Sequence, residues 1–458
     1  GPHAGRAVRA SGWPDLFSHP GLAGAVVLGV AGGLLAGVVH PLAPIALVLG
    51  GAVVLYGLLR PIGLLIAFLG ILFLRPTDFF PALAPLMLGK LVVAGALGAM
   101  VLDRALRREV RWPKAAATPW MAGVVATVLL SSLRGSDPGA SLATFNEVFV
   151  KIILLYGLLL FLVNTPARAL AVQGGIVAFT SVLGLYAIQL KLTGQANIEG
   201  SRAGAIGLLG DPNDLALSLL MSPAFLIMAW PRARGLGRLA IGLALIAVVG
   251  GLIATQSRGG LLGFAAMGYM VVRARLRSRV ATFALVGAGL LGLVLVAGVA
   301  SRQTVSTSGI DESAQGRLDA WYAGYRMFRA RPITGVGYER FPDNYPVFAL
   351  NPVEWGPKAA HSTWVKALAE VGLLGLIPFL AMVAVTLRSA WALHPRRGPP
   401  TVAAAVPESL LPMLTGLLVS ASFLSQTWNW FIYIAVGLVA ALEAQAVPAA
   451  SELEVDER

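Results

Sequence analysis

Long stretches without a charged residue are the feature of this chain that most constrains its fold. Residues 21–59 and 239–256 contain no Lys, Arg, Asp or Glu. Each stretch is long enough to cross a bilayer core of ~30 Å. Only 12% of the 458 residues are charged, about half the share in soluble proteins. The sequence therefore predicts an all-α, polytopic integral membrane protein, and it excludes a coiled coil, a disordered chain and a disulfide-stapled secreted domain.

The apolar runs predict fourteen segments in a single membrane domain that covers residues 1–458. They lie near 21–39, 42–59, 62–75, 84–102, 117–133, 147–163, 169–190, 213–230, 239–256, 259–272, 281–299, 362–387, 404–424 and 429–446. Segments 62–75 and 259–272 are shorter than the ~20 residues that a span needs, so we expect 12–14 transmembrane helices. The start Gly1-Pro2-His3 resembles a scar left by tag cleavage, and we expect residues 1–5 to lie outside the fold.

Clusters of basic residues predict the orientation in the membrane. Four connecting loops carry them: Arg104, Arg107, Arg108, Arg111 and Lys114; Arg232, Arg234 and Arg238; Arg273, Arg275, Arg277 and Arg279; Arg388, Arg396 and Arg397. With fourteen spans these loops share one side with both termini, and the positive-inside rule makes that side cytoplasmic. The net charge of +13 is explained by this rule, so we expect membrane lipids as partners and no nucleic acid.

The loop 301–361 is the only long one on the opposite face, and loops of this length are usually functional. Residues 314–331 within it have helical periodicity. An apolar and aromatic stripe is formed by Leu318, Trp321, Tyr322, Tyr325 and Phe328. We expect this helix to lie in the membrane interface rather than across the bilayer.

Two arginines on the predicted external face are candidate site residues, because ionisable groups near the apolar layer of a membrane protein are commonly functional. Arg258 lies at the tip of a tight hairpin between two apolar segments. The alternative is an arginine that only anchors the helix ends. Arg317 lies early in the loop helix, and its alternative is a solvated arginine or an ion pair with Asp319. Lys191 and Arg202 add positive charge to the neighbouring loop 191–212.

His361 is the third candidate, since it is the only one of five histidines on the long loop and directly precedes a span. Ser362 or Thr363 is suited to cap that helix. A helix N-terminus disfavours a cation, so we expect a neutral imidazole that accepts a proton near pH 7. The alternative is a histidine that only satisfies its hydrogen bonds at the interface.

Two other polar patterns have structural interpretations. Asp211-Pro212-Asn213-Asp214 is typical of the start of a helix, and Glu370 is expected to pair with Lys366 one turn away. The chain has no cysteine and no motif typical of nucleotide or metal binding. We therefore expect no metal and no cofactor.

Arginines and a neutral histidine at one membrane face favour an anionic substrate and a proton transfer. Arginine binds phosphate groups with two hydrogen bonds at once. A lipid-linked pyrophosphate places such an anion at the bilayer surface. Glycosyl transfer from this donor needs a stabilised leaving group and a base for the acceptor hydroxyl.

Three motifs in order resemble the O-antigen ligase family of membrane glycosyltransferases. They are Thr-Gln-Ser-Arg-Gly-Gly at 255–260, Gly-Arg-Leu-Asp-Ala-Trp at 316–321, and Ala-His-Ser-Thr-Trp at 360–364 followed by Glu-Val-Gly-Leu-Leu-Gly at 370–375. The resemblance covers about residues 200–390, whereas the first ~190 residues match only as membrane spans.

The resemblance implies a metal-independent, inverting transfer of O-antigen from undecaprenyl pyrophosphate to lipid A–core oligosaccharide in lipopolysaccharide biosynthesis. Arg258 and Arg317 would bind the pyrophosphate, with Arg202 matching a further basic position more loosely, and His361 would be the base or would orient the acceptor. The enzyme would be a multi-pass protein of the bacterial inner membrane, with both termini cytoplasmic and the site facing the periplasm.

Other activities are compatible with the same sequence features. An O-antigen polymerase or a protein O-oligosaccharyltransferase of the same superfamily would differ only in its acceptor. A lipid flippase or transporter belongs to another class, and it should place ionisable groups near the bilayer midplane. The placeable arginines lie at one face, which favours the enzyme. New glycosidic bonds, rather than relocated lipid, would distinguish the two.

Overall fold

A computed structural model describes residues 60–107, 112–196, 198, 201–205, 207–276, 278–297, 312–350, 358–394 and 401–456. Across these ranges the chain is helical and contains no strand, only an isolated bridge between Ile198 and Arg202. Eight described helical segments are long and apolar enough to cross a membrane. The protein is therefore an all-α, polytopic membrane protein, as predicted.

The described helices follow one another closely along the chain. They are α1 Pro61–Leu74, α2 Leu88–Arg107, α3 Thr118–Arg134, α4 Pro138–Leu162 with a π-helical turn at Phe145–Phe149, α5 Pro166–Leu192, α6 Pro212–Leu219, α7 Pro223–Ala229, α8 Gly235–Thr255, α9 Arg258–Arg273, α10 Arg279–Ala297, α11 Glu312–Ala330, α12 Phe341–Phe348, α13 Thr363–Leu393, α14 Ala405–Ala421 and α15 Trp430–Asp456. Short helical turns occur at Pro76–Phe79, Pro81–Leu86, Gly207–Gly210, Trp230–Arg232 and Val402–Ala404.

The expected segments agree with these helices, with two corrections. Segments 21–39 and 42–59 lie outside the described residues, and the other twelve all coincide with helix. Helix α4 begins at Pro138, not near 147, because Asp137 caps it by accepting the N–H of Ala140 at 3.0 Å. The segment expected at 213–230 is two helices, α6 and α7, that together form the apolar span Pro212–Arg232.

Close contact between helix backbones holds the bundle together. Helix α5 packs on α8 and α9 packs on α14. At the first crossing, a β-carbon added to Gly184 would lie 2.3 Å from the carbonyl oxygen of Ala247. Small residues at a crossing let membrane helices approach closely and gain van der Waals contact. Burial in lipid alone supplies no such attraction between the helices.

Helix α13 is broken at Gly372, whose φ of 60° and ψ of −164° are not helical. The chain segment 332–337 fills the break. Four backbone hydrogen bonds of 2.9–3.1 Å join the two: Val336 N to Ala369 O, Gly337 N to Glu370 O, Leu373 N to Pro332 O and Leu374 N to Ile333 O. Residues 373–393 alone give ~31 Å of helix, enough to cross a bilayer core. We therefore expect the first turns of α13, which follow His361, to extend beyond the span.

Helix α11 confirms the helix expected at 314–331, and it packs along the first turns of α13. Its inward face is made of small residues: a β-carbon at Gly324 would lie 2.5 Å from Val365. Of the expected apolar stripe, Leu318, Tyr322 and Tyr325 are exposed. These three side chains face away from the protein, whereas Trp321 and Phe328 are partly buried against it. The position of the helix relative to a membrane stays a prediction.

Candidate functional site

Three helices begin close together, and a side chain caps each of them. Asp211 accepts the N–H of Asn213 at the start of α6, Ser257 accepts that of Gly260 in α9, and Ser362 accepts that of Val365 in α13. The Ser257 hydroxyl also donates to Asn213 Oδ1 at 2.8 Å, which joins the starts of α6 and α9. Helix N-termini carry partial positive charge, so their convergence favours an anion.

Arg202 lies behind this junction, and its side chain is 2% exposed. Its Nε donates to the carbonyl of Thr255 at 3.0 Å, and a terminal nitrogen donates to Asn213 Oδ1 at 2.8 Å. Lys191 is exposed, and its Nζ donates to the carbonyl of Ser201 at 2.7 Å. Arg202 thus holds the loop between α5 and α6 against the end of α8, and Lys191 holds the same loop to the end of α5.

Arg258 is exposed at the first residue of α9. The hairpin before it is rigid, because Gln256 adopts a left-handed conformation with φ of 51° and donates its side-chain N–H to Ala297 O at 2.7 Å. The hydroxyl of Ser201 in turn donates to Gln256 Oε1 at 2.9 Å. The guanidinium of Arg258 therefore projects from a fixed turn beside two helix N-termini.

His361 is half-buried directly before α13, and its φ is 47°. Its backbone N–H donates to the hydroxyl of Ser425 at 2.9 Å. Burial lowers the pKa of the imidazole below its usual 6.5, and the charges of Arg317 and Lys358 lower it further, whereas Asp211 opposes them. The expected neutral imidazole is thus supported, but burial is the main cause rather than the helix N-terminus.

Lys358 lies beside the start of α11, the helix that carries Arg317. A β-carbon at Gly316 would lie 2.7 Å from Lys358 Nζ, which places that ammonium beside the start of α11. Burial is also the main reason why the pKa of Lys358 is lowered. The structure thus brings His361 within electrostatic reach of Arg317, of Lys358 and of Asp211 at the start of α6.

Residues 242–380 match the protein-family model described as O-Antigen ligase. This segment is an O-antigen ligase domain. It includes Arg258, Arg317 and His361 and all three motifs of the predicted resemblance. A comparison with curated proteins found no match.

The O-antigen ligase domain does not contain the whole site. Arg202, Lys191 and Asp211 precede residue 242, and the 422–428 loop follows residue 380. The family supports a transferase role for the chain and lipid-linked glycans as its substrates.

The 422–428 loop is the part of the site that the sequence analysis missed. It joins α14 to α15, and Ser425 and Gln426 within it bond to residues around His361 and to Asp214. The available signal was a polar run, Ser-Gln-Thr-Trp-Asn at 425–429, between two apolar segments.

Lys366 and Glu370 attract each other electrostatically, as expected, but each makes its direct bonds to other residues. Lys366 Nζ bonds to Glu339 Oε2 at 2.8 Å, whereas Glu370 accepts from the indole of Trp428 at 2.6 Å and from the backbone N–H of Phe341 at 3.0 Å. Glu339 comes within reach of Lys366 because segment 332–337 docks into the break of α13. The described ranges contain no group of three or more His, Asp or Glu side chains suited to hold a metal ion.

Proposed function

We propose that the protein is an O-antigen ligase that transfers O-antigen polysaccharide from undecaprenyl pyrophosphate to lipid A–core oligosaccharide, by metal-independent, inverting glycosyl transfer. The observation that carries this proposal is the placement of His361, a residue of the O-antigen ligase domain, within electrostatic reach of Arg317 and of Asp211 at the start of α6.

Arg258 and Arg317 bind the pyrophosphate in this proposal. Arg258 is the first residue of α9, whose capping Ser257 bonds to Asn213 of α6. Arg317 lies in the second turn of α11, which packs along the first turns of α13. A guanidinium binds two phosphate oxygens with parallel hydrogen bonds, and it stabilises the negative charge that grows on the leaving group. Arg258 is exposed, so a lipid-linked substrate can reach it.

Arg202 and Lys191 support this site from behind. The buried guanidinium of Arg202 bonds to Thr255 and Asn213, which fixes the starts of both α6 and α9. In our proposal Arg202 therefore acts on the pyrophosphate indirectly, because it fixes the turn that carries Arg258. Direct contact of Arg202 or Lys191 with the donor stays a prediction.

His361 acts as the base. Its neutral imidazole takes the proton from an acceptor sugar hydroxyl while that oxygen attacks the anomeric carbon of the donor. The bond from the anomeric carbon to the pyrophosphate oxygen breaks on the opposite face, and undecaprenyl pyrophosphate leaves. This one displacement inverts the anomeric configuration, and the arginines hold the leaving group.

The proposed location is the bacterial inner membrane, with both termini cytoplasmic and the site facing the periplasm. The basic loop clusters support this orientation through the positive-inside rule. Lipid-linked O-antigen, lipid A–core and membrane lipids are the proposed partners. The two carbohydrate lipids would reach the site from the outer leaflet.

The test is a transfer assay with the purified chain in proteoliposomes. Lipid-linked O-antigen and purified lipid A–core are supplied with EDTA and without ATP, and products are separated by gel and mass spectrometry. We expect O-antigen joined to lipid A–core with release of undecaprenyl pyrophosphate. If repeats are instead joined on undecaprenyl pyrophosphate, the protein is a polymerase. If protein is glycosylated, it is an oligosaccharyltransferase, and if the lipid is relocated but unchanged, it is a transporter.

A further inference from the structure

The backbone of His361 has a conformation that is uncommon for a residue other than glycine. Its φ of 47° lies in the left-handed region, which is unfavourable for residues with a β-carbon. Such a conformation persists only where surrounding contacts impose it. At His361 those contacts determine the direction in which the imidazole leaves the chain.

The 422–428 loop supplies these contacts through five hydrogen bonds of 2.7–3.1 Å to residues 361–364. The five bonds are His361 N to Ser425 Oγ, Thr363 Oγ1 to Leu424 O, Gln426 N to Thr363 Oγ1, Thr427 Oγ1 to Thr363 O and Trp364 Nε1 to Ser422 Oγ. Only the first of them is made by His361 itself. The hydroxyl of Ser425 is thus the contact that acts on the left-handed residue.

The same loop is anchored on its other side. Gln426 Nε2 donates to Asp214 Oδ1 in the first turn of α6, and Trp428 Nε1 donates to Glu370 Oε2 in α13. Thr427 is fully buried, and Gln426 and Trp428 are 4% and 2% exposed. A loop held at both ends in this way is rigid enough to impose a conformation on its neighbour.

We propose that the 422–428 loop is a positioning element of the site, and that Ser425 fixes the place of the His361 imidazole by holding its backbone N–H. Ser425 acts through His361 and does not touch the substrate. The loop lies outside residues 242–380, so the family domain depends on a later part of the chain. The effect of Ser425 on turnover rests on the proposed function, whereas its effect on the place of the His361 imidazole does not.

The charged groups around His361 make its position measurable. Arg317 on α11 and Lys358 on the approaching chain lower its pKa in addition to burial, and Asp211 before α6 raises it. If the bond to Ser425 is lost, the left-handed turn relaxes. The imidazole then becomes more exposed and moves away from Arg317 and Lys358. Its pKa should then rise toward the ordinary value of about 6.5.

The experiment measures the reaction of His361 with diethylpyrocarbonate from about pH 5 to pH 8 in the full-length protein, by peptide mass spectrometry. The reagent reacts with imidazole only in its neutral form. The pH dependence of the rate at His361 therefore gives the pKa of this residue without any glycosyl substrate. We expect the pH midpoint of the His361 reaction to be higher in Ser425→Ala than in the wild type. Ser425→Thr, which keeps the hydroxyl, should restore the wild-type midpoint.

Ser420→Ala is the matched control. Ser420 lies five residues earlier, is buried, and its hydroxyl has no hydrogen-bond partner among the described residues. Removing that hydroxyl should leave the midpoint of His361 unchanged. Should Ser425→Ala fail to fold, Ser425→Cys keeps a similar shape with a weaker acceptor, and an intermediate midpoint is expected.

Transfer kinetics then connect positioning to function. Ser425→Ala should lower kcat about 10- to 100-fold, as expected for a displaced catalytic group, with little change in the KM for the donor. An unchanged titration midpoint in Ser425→Ala would overturn the positioning role. A shifted midpoint with normal kcat would leave that role standing and would instead refute His361 as the base.

Discussion

The indole Nε1 of Trp428 donates a 2.6 Å hydrogen bond to Oε2 of Glu370, and the two residues are 2% and 0% exposed. The second carboxylate oxygen of Glu370 accepts the backbone N–H of Phe341 at 3.0 Å. One carboxylate thus joins α13 to the 422–428 loop and to the start of α12. Because α13 and the 422–428 loop both adjoin the turn of His361, this bond supports the site.

Replacing Glu370 with Gln should destabilise the protein by about 1–3 kcal/mol. The amide keeps the shape of the side chain, but its NH₂ cannot accept, so one of the two buried donors is left without a partner. Thermal unfolding in detergent should report a lower Tm. The control is Glu147→Gln on the exposed side of α4, which should leave Tm unchanged. Equal Tm values for both variants would contradict the structural role of Glu370.

Gly335→Ala should destabilise the docking of segment 332–337 into the break of α13. Gly335 has φ of 69°, and a β-carbon there would lie 2.3 Å from the carbonyl carbon of Glu370. A left-handed alanine alone costs about 1–2 kcal/mol, and the clash adds to that. Gly287→Ala in α10, where a β-carbon meets nothing within 4 Å, is the control. A normal Tm for Gly335→Ala would mean that the segment is free to move away from α13.

Local patterns predicted the helices and their caps well. Asp211 and Ser362 were expected at helix starts, and each caps the helix that follows. Capping depends on residues two or three positions apart, so the sequence carries the information directly. The helix at 314–331 was predicted for the same reason, since its apolar stripe repeats with the helical period.

Contacts between distant parts of the chain were not predictable in this way. Nothing near Lys366 in the sequence indicates Glu339 as its partner, because a helix break at Gly372 and a docked segment bring them together. The left-handed turn of His361 likewise depends on Ser425, sixty-four positions away. The sequence therefore indicated candidate residues for the chemistry, whose roles stay predictions, but not the contacts that position them.

The orientation of the chain is testable at the two ends of α3. Ala116 precedes this helix and Ser136 follows it, both are exposed, and the chain has no native cysteine. In intact spheroplasts an impermeant thiol reagent should label Ser136→Cys and should not label Ala116→Cys. Permeabilised cells serve as the control, since both positions should then react. Labelling of Ala116→Cys alone would invert the proposed topology.

Arg258 should be needed for transfer as a guanidinium and not only as a positive charge. Arg258→Lys keeps the charge but loses the two parallel hydrogen bonds to phosphate, so kcat/KM should fall about tenfold or more. Arg258→Ala should be worse, and Arg326→Ala, at an exposed position of α11, is the control. Transfer at the normal rate with a lowered Tm in Arg258→Ala would assign Arg258 to anchoring the helix ends.

His361 should control the rate of transfer through its proton. General-base catalysis contributes about 10²–10⁴-fold, so His361→Ala should lose turnover to that extent while donor binding persists. His361→Gln should do little better, because an amide donates and accepts hydrogen bonds but cannot take the hydroxyl proton. Binding of lipid-linked donor by each variant, measured separately, is the control for folding.

The pH dependence of kcat distinguishes a base from a residue that only orients the acceptor. Protonated imidazole cannot accept a proton, so the rate should fall as pH drops through the pKa of His361. Burial and Arg317 hold that pKa below its ordinary value, so the acid limb should be centred below about pH 6.5. Full activity should persist through neutral pH, where the imidazole is uncharged. A rate that stays flat from about pH 5 to pH 8 while chemistry limits turnover, or near-normal turnover in His361→Gln, would leave His361 only the role of orienting the acceptor and assign catalysis to the arginines.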